Sequence, residues 1–335
     1  MPGRPPPEPA GKDSMSPLRI DGLQYGAWSR QIFEEMRAGG LSAVHATVSY
    51  HENFRQTVRH LVDWRQRFRD HADLILFARD GADLARARES GRTAIFLGLQ
   101  TPMPIEDDIG LIEMLFDLGV RFQQITYNNQ SLLGCGWMEQ EDSGVTRMGR
   151  EAIVEMNRLG MVIDLSHAGE RTALETIELS RRPVVVSHAN PRWRRDTARN
   201  VSKRVMLALA QSGGLLGLSL YPAHLPEGSA TTLRQFAEMA AEAAEIVGVE
   251  RLGIGSDLCQ GQPDSVVRWM REGRWTRPGD EVIAFPEQPN WFRSNLDFAG
   301  LAEGLAEVGF RDDEIAQVLG GAWADFIAQN VGKPG

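Results

Sequence analysis

Two stretches of this chain end alike. Met161-Val162-Ile163-Asp164-Leu165 leads into Ser166-His167, and Pro183-Val184-Val185-Val186 leads into Ser187-His188. An imidazole titrates near neutrality and binds metals through a neutral nitrogen, so a pair of them is the usual start of a metal or acid–base centre. A lone histidine at a strand end often does no more than hydrogen-bond there; two at matched positions imply a shared site. Residues 169–180, between the two runs, read as an amphipathic helix. A strand, a helix and a second strand make a βαβ unit, whose strands lie parallel. Both histidines then leave the same end of one sheet, the end at which parallel α/β folds bind ligands.

The elements that must position them follow from the same alternation along the chain. Strand-like runs at 18–23, 41–49, 94–99, 120–126, 161–165, 184–187, 215–220 and 252–256 are separated by helical patterns at 30–38, 53–71, 82–89, 107–118, 148–159, 170–180, 203–212 and 233–247. Eight strands alternating with helices predict a (β/α)8 TIM barrel. A doubly wound nucleotide-binding sheet is the rival, but no G-x-G-x-x-G follows any strand. In a barrel, the functional candidates are polar residues at strand carboxyl ends: residues 21–25, residues 45–49, Gln100, Thr126, Tyr127, Asn128, His167, His188, Ser219 and Asp257. Asp257 follows a buried run, Leu252-Gly253-Ile254-Gly255-Ser256. A carboxylate emerging there can ligate a metal or move a proton, or simply pair with an arginine.

Composition narrows the class. The chain has 335 residues, 42% hydrophobic and 24% charged, an ordinary balance for a folded domain of barrel size. A formal charge of −9 argues against a nucleic-acid partner. No apolar run is long enough to span a membrane, and the amino terminus lacks the apolar core of a signal peptide, so the cytoplasm is the expected compartment. Two cysteines, Cys135 and Cys259, do not make a disulfide framework. Residues 1–16 are Pro-rich and read as a disordered arm, and 17–335 as one barrel domain. Within it, a long irregular loop at about 258–293 carries Trp269, Trp275 and Trp291, packing on the barrel rim being the simplest role for them. Helical patterns at 294–308 and 312–329 finish the chain.

Several motifs, in order, resemble the membrane (renal) dipeptidase family, a branch of the zinc-dependent amidohydrolase-like barrels: NRLGMVIDLSHAGERT, RPVVVSHAN, TARNV at 197–201 and GIGSD at 253–257. The resemblance runs from about Ile20 to the carboxyl terminus. It implies two zinc ions in active members, held by a first-strand Asp-Gly-His-x-Asp, a bridging Glu from the third strand, and one His each from the fifth and sixth. Carried over, the last two are His167 and His188. The arginine that grips the substrate carboxylate matches Arg199, and the proton-shuttling carboxylate matches Asp257.

The departures are as specific as the matches. The first-strand motif reads Asp21-Gly22-Leu23-Gln24-Tyr25, so the His and Asp ligands are replaced by Leu23 and Tyr25; the bridging Glu falls at or next to Gln100; the histidine that polarises the scissile carbonyl is replaced by Tyr127. Leu has no ligand atom, a neutral amide cannot neutralise two close cations, and a phenol is a poor ligand at neutral pH. The expectation is therefore a dipeptidase-like hydrolase cleaving a dipeptide or small amide with a free carboxylate. It would use at most one ion, zinc or another divalent metal, on His167 and His188. Asp257 and Tyr127 would be catalytic, and Arg199, Asn128, Gln100 and Tyr25 would contact substrate. The alternative is a metal-free barrel that binds or transforms a small carboxylate ligand, with hydrolysis lost. The expected partner is a small molecule or dipeptide, with neither nucleic acid nor membrane; related barrels often pair, which makes a homodimer the assembly to look for.

Overall fold

Nine strands run parallel in the structure, a computed structural model that describes residues 17–273 and 283–334. They are β1 (Ile20–Gln24), β2 (Ala43–Ser49), β3 (Ile75–Ala78), β4 (Thr93–Leu99), β5 (Val120–Gln124), β6 (Val162–Asp164), β7 (Val185–Val186), β8 (Leu215–Leu218) and β9 (Leu252–Ile254). All but β3 close a barrel, in the order β2-β1-β9-β8-β7-β6-β5-β4, with β4 pairing back onto β2. The expected (β/α)8 TIM barrel is therefore what forms. The expected arm at 1–16 lies outside the described residues, as does the stretch 274–282 of the long loop.

The ninth strand is the departure from the eight predicted. β3 pairs with the first half of β4, Ile75 opposite Thr93 through Ala78 opposite Phe96, and β5 takes over the same edge from Leu97 onward. Four residues between two helical patterns are too few to show a period of their own.

The helices are α1 (Arg30–Ala38), α2 (Phe54–Asp70), α3 (Gly81–Glu89), α4 (Gly110–Asp117), α5 (Arg147–Leu159), α6 (Glu170–Leu179), α7 (Lys203–Gln211) and α8 (Leu233–Val247). Local chemistry sets their ends. Asn53 and Thr232 each accept from a backbone N–H three residues on, and the glutamine there returns the bond. Gly160, at φ 77°, closes α5 in the left-handed conformation that a side chain resists. The described part of the long loop contains the short helix α9 (Val267–Glu272), and α10 (Leu301–Glu307), α11 (Asp312–Ala316) and α12 (Ala322–Asn330) follow it. The predicted helix 312–329 is interrupted by a π-helical turn, Gln317–Gly321. There Gly320 lies so close to the Leu18 carbonyl that a Cβ would sit 2.6 Å from its oxygen. Among the described residues no helix is long and apolar enough to cross a membrane.

The barrel has an apolar floor and a polar mouth. Ile20, Ala43, Val162, Val185 and Leu215, the first residues of their strands, cluster with Phe96, Phe122, Trp323 and Phe326. Trp323 plugs this end, its indole N–H donating to the Ile254 carbonyl at 2.9 Å. A Cβ on Gly22 or Gly253 would strike its ring, at 2.2 and 2.6 Å. With the floor sealed, open space in the barrel lies at the opposite end, where the strands' carboxyl termini and loops meet.

Candidate functional site

β6 and β7 deliver the two histidines to one point. His167 Nε2 and His188 Nε2 are 3.0 Å apart, and both rings are buried. His167 lies one turn past β6 with a φ of 70°, a conformation that non-glycine residues rarely hold without cause. Beneath the pair, Asp164 at the end of β6 accepts from the backbone N–H groups of Ser166 and Ser187, at 3.0 Å each, and from the Ser187 hydroxyl. Ser166 Oγ in turn accepts from the His188 backbone N–H at 3.0 Å. The repeated Ser-His is thus one device: each serine ties the other strand's end to the shared carboxylate.

The same network assigns the ring protons. Asn128 Nδ2 donates to the Arg271 carbonyl at 2.9 Å, and Asn128 Oδ1 accepts from the Trp137 indole at 2.8 Å. With the amide orientation fixed by partners whose roles cannot reverse, His167 Nδ1, 2.8 Å from Oδ1, carries the proton. The Ser187 hydroxyl proton points at Asp164, so His188 Nδ1, 2.7 Å from Ser187 Oγ, is also the protonated nitrogen. Each ring then turns the lone pair of Nε2 toward the other. Two lone pairs at that separation repel unless a cation or proton lies between them.

A cavity of about 390 Å³ opens above His167, large enough for a small ligand. Tyr127, Asn128, His167, Arg199 and Asp257 line it, and His188 is fully buried directly behind His167. Asp257, at φ 57°, is the second left-handed non-glycine residue of the site. Burial pushes its carboxyl up to about 7, with the Asp21 charge adding and the Arg199 guanidinium opposing. Arg199 is buried too. One of its nitrogens donates to the His188 carbonyl at 2.9 Å, while Nε and Nη1 have no partner among the described residues. Burial holds the Tyr127 phenol well above its usual range, so it keeps its proton. Its ring leans on His167, centroids 4.1 Å apart. Asn128 has both lone pairs of Oδ1 and one Nδ2 proton committed, and through Oδ1 it orients His167.

Tyr25 and Gln100 stand one layer back and do not line the cavity. Gln100 Nε2 donates to Thr47 Oγ1 at 2.8 Å and to the Tyr50 hydroxyl at 3.0 Å. Tyr25 packs edge-on against Tyr50, centroids 4.8 Å apart, and Leu23 is fully buried. His45, within the candidate stretch at the end of β2, points into the barrel: its Nδ1 donates to the Gly22 carbonyl at 2.7 Å, and burial lowers it to about 4. Among the described residues no three His, Cys, Asp or Glu side chains are placed to hold a metal ion together. Cys259 lines the cavity as a free thiol that burial keeps protonated.

The lining also includes residues that were not among the sequence candidates, Tyr50, Trp137, Tyr221, His224 and Arg271 among them. Tyr50 and Tyr221 directly follow strand ends already under suspicion. His224 is reachable through Ser219, whose Oγ is 2.8 Å from its Nδ1. Arg271 belongs to α9, inside a loop whose sequence carries no signal of what it faces.

Comparisons with known proteins agree with this architecture. Residues 22–269 match the family model of the membrane dipeptidases, peptidase family M19. An uncharacterized dipeptidase of Schizosaccharomyces pombe is 29% identical over 181 residues, covering 52% of this chain and 44% of the relative. A dipeptidase of Clonostachys rogersoniana is 26% identical over 210 residues, 62% of this chain and 54% of the relative. The chain thus spans about half the length of these curated relatives. The crystal structure of an amidohydrolase from Pseudomonas aeruginosa superposes with a TM-score of 0.88 at 34% identity, covering 95% of this chain and 97% of that one.

Proposed function

The chain belongs to the membrane dipeptidase family, peptidase family M19, and from that premise we propose that it hydrolyses a dipeptide or a similar small amide bearing a free carboxylate. The observation that carries the reading is Arg199. A buried guanidinium with two unpartnered donors is costly unless a ligand completes it, and a carboxylate does so with two parallel hydrogen bonds. Its cavity also holds Asp257 and His167, so a substrate anchored there lies beside a proton acceptor and the imidazole pair.

The side chains divide the work. Asp257, titrating at about 7, takes a proton from the attacking water and returns it to the leaving amine near neutral pH. The Tyr127 phenol, protonated throughout, donates to the oxygen on which negative charge develops. Asn128 and Ser187 hold the two rings in the tautomers that expose both Nε2 lone pairs.

The donor set fits one divalent ion and not two. The facing Nε2 lone pairs of His167 and His188, 3.0 Å apart, are the groups that would hold one such ion. Leu23, Tyr25 and the committed amide of Gln100 leave no second set. Bound by His167 and His188, a divalent ion would supply Lewis-acid activation of water.

Dipeptides offered to the purified protein with Zn2+, Co2+ or Mn2+ should be turned over with at least one of them. Absence of turnover throughout overturns the hydrolytic reading. A second reading, a metal-free barrel that binds or transforms a carboxylate, is favoured by the two-ligand donor set, since catalytic zinc sites usually keep three protein ligands. Metal analysis separates them: one equivalent of ion lost in His167→Ala supports the first, and no uptake after zinc loading supports the second.

A further inference from the structure

We propose that the cavity holds a second anion subsite, built by Arg271 with Tyr221 and His224, and that the substrate carries two carboxylates: one for Arg199 and one for this subsite. The inference rests on the hydrolytic reading for the reaction, while its claim about the ligand is separable from it.

Arg271 reaches the cavity from α9, and its Nη2 donates to the Tyr221 hydroxyl at 3.1 Å. Neither it nor Arg199 has a carboxylate partner among the described residues. Of the two acidic side chains lining the cavity, Glu272 is engaged by Arg268 at 3.3 Å, and Asp257 is held partly protonated at neutral pH by its burial. Among the described residues, two guanidinium groups without a salt-bridged carboxylate therefore face one cavity.

His224 adds a donor on the same side. Ser219 Oγ accepts from the Tyr221 backbone N–H at 3.2 Å, and among the described residues the one acceptor in reach of its hydroxyl proton is His224 Nδ1 at 2.8 Å. The ring proton is then on Nε2. Burial keeps this ring neutral, and the nearby charges of Arg199, Arg195 and Arg271 act in the same direction. Tyr221 and His224 lie at the end of β8, their rings 5.3 Å apart, so Arg271 meets a donor-rich wall.

The subsite is also fixed in place. Asn128 Nδ2 donates to the Arg271 carbonyl while Asn128 Oδ1 receives the His167 Nδ1 proton, so one amide sets the distance between the second arginine and the imidazole pair. An arginine on a mobile surface loop would not be tied to the reacting centre in this way. The ligand class that satisfies both guanidinium groups is a dipeptide with an acidic side chain, or an N-acyl acidic amino acid.

The test has two arms. In the first, kcat/KM is compared for Ala-Ala, Ala-Asp and Ala-Glu, each with the second residue in L and D form. The acidic members should be preferred by roughly 10- to 100-fold, chiefly through KM, and the preference should collapse in Arg271→Gln. In the second arm, which needs no turnover, binding of N-acetylaspartate and N-acetylalanine is measured by calorimetry on the wild type, Arg271→Gln and Tyr221→Phe. The wild type should bind the dicarboxylate roughly tenfold or more tightly than the monocarboxylate, Arg271→Gln should show no such preference, and Tyr221→Phe should be intermediate. Equal affinity for the two ligands, or a preference that survives Arg271→Gln, overturns the subsite. Failure of every dipeptide to react, with the binding preference intact, overturns the hydrolytic reading and leaves the subsite standing.

Discussion

At the ends of β6 and β7, two serines and an aspartate hold two imidazoles with their Nε2 lone pairs turned toward each other. At the ends of β1, β2 and β4, the matching ground is taken by Leu23, Tyr25, Tyr50 and Gln100, and it is closed on itself. Gln100 is bound to Thr47 and Tyr50, Tyr25 rests on Tyr50, and Tyr50 packs edge-on against Tyr127 at 5.2 Å. One half of the mouth presents unsatisfied groups of defined polarity. The other presents a wall of aromatic faces and amide hydrogen bonds already made. The contrast teaches that two sides of one barrel mouth can differ this far in polarity, because each is held by its own hydrogen bonds.

The hardest blow to that contrast comes from the imidazole side. His167→Ala or His188→Ala should lower kcat/KM by roughly a thousandfold or more and abolish ion uptake, measured by steady-state kinetics and metal analysis. A near-normal rate in either variant would mean that the chemistry lies elsewhere. Next in size is Arg199→Met, expected to cost about a hundredfold, mostly in KM, because it removes the charged donors that grip the substrate carboxylate. If the loss fell on kcat alone, Arg199 would be acting on the reacting centre instead.

Asp257 gives an effect of intermediate size and a definite sign. As a base titrating at about 7, it should make kcat/KM fall about tenfold per pH unit below that point and level off above it. The same shift bears on stability. The folded protein retains a proton that the unfolded chain releases near pH 4, so the contribution of this carboxyl is full below that pH and is lost as pH rises through about 7. Asp257→Asn should accordingly melt near the wild-type temperature at pH 4 and above it at pH 8, with activity lost. A variant less stable than wild type at pH 8 would show that the buried charge is compensated by contacts that the asparagine fails to make.

Much of this was legible in the sequence, for a physical reason. Parallel barrel strands buried on both faces write continuous apolar runs, and the polar residue that ends each run marks the mouth. Those signals located all eight barrel strands, along with His167, His188 and Asp257. Two things do not register in a linear chain. One is whether a polar side chain is already committed: Gln100 and Asn128 sit at strand ends like the others, and only the folded neighbourhood shows Gln100 Nε2 and Asn128 Oδ1 fully engaged within the protein. The other is what an irregular loop faces, which is why Arg271 and its meeting with Tyr221 emerge only in three dimensions.

The mildest substitution bears on that first point. Tyr25 stands where the motif resemblance leads one to expect a metal ligand, and from its position alone it would be expected to touch substrate. Folded, it lies outside the cavity lining, and burial raises its phenol to about 12. Its ring contributes through the edge-on contact with Tyr50, which Phe preserves. Tyr25→Phe should therefore change kcat/KM by less than about threefold, because the groups that meet the substrate are untouched. A loss of tenfold or more would place the Tyr25 hydroxyl in the working site, and the aromatic side of the mouth would then share in the chemistry that the contrast assigns to the imidazole side.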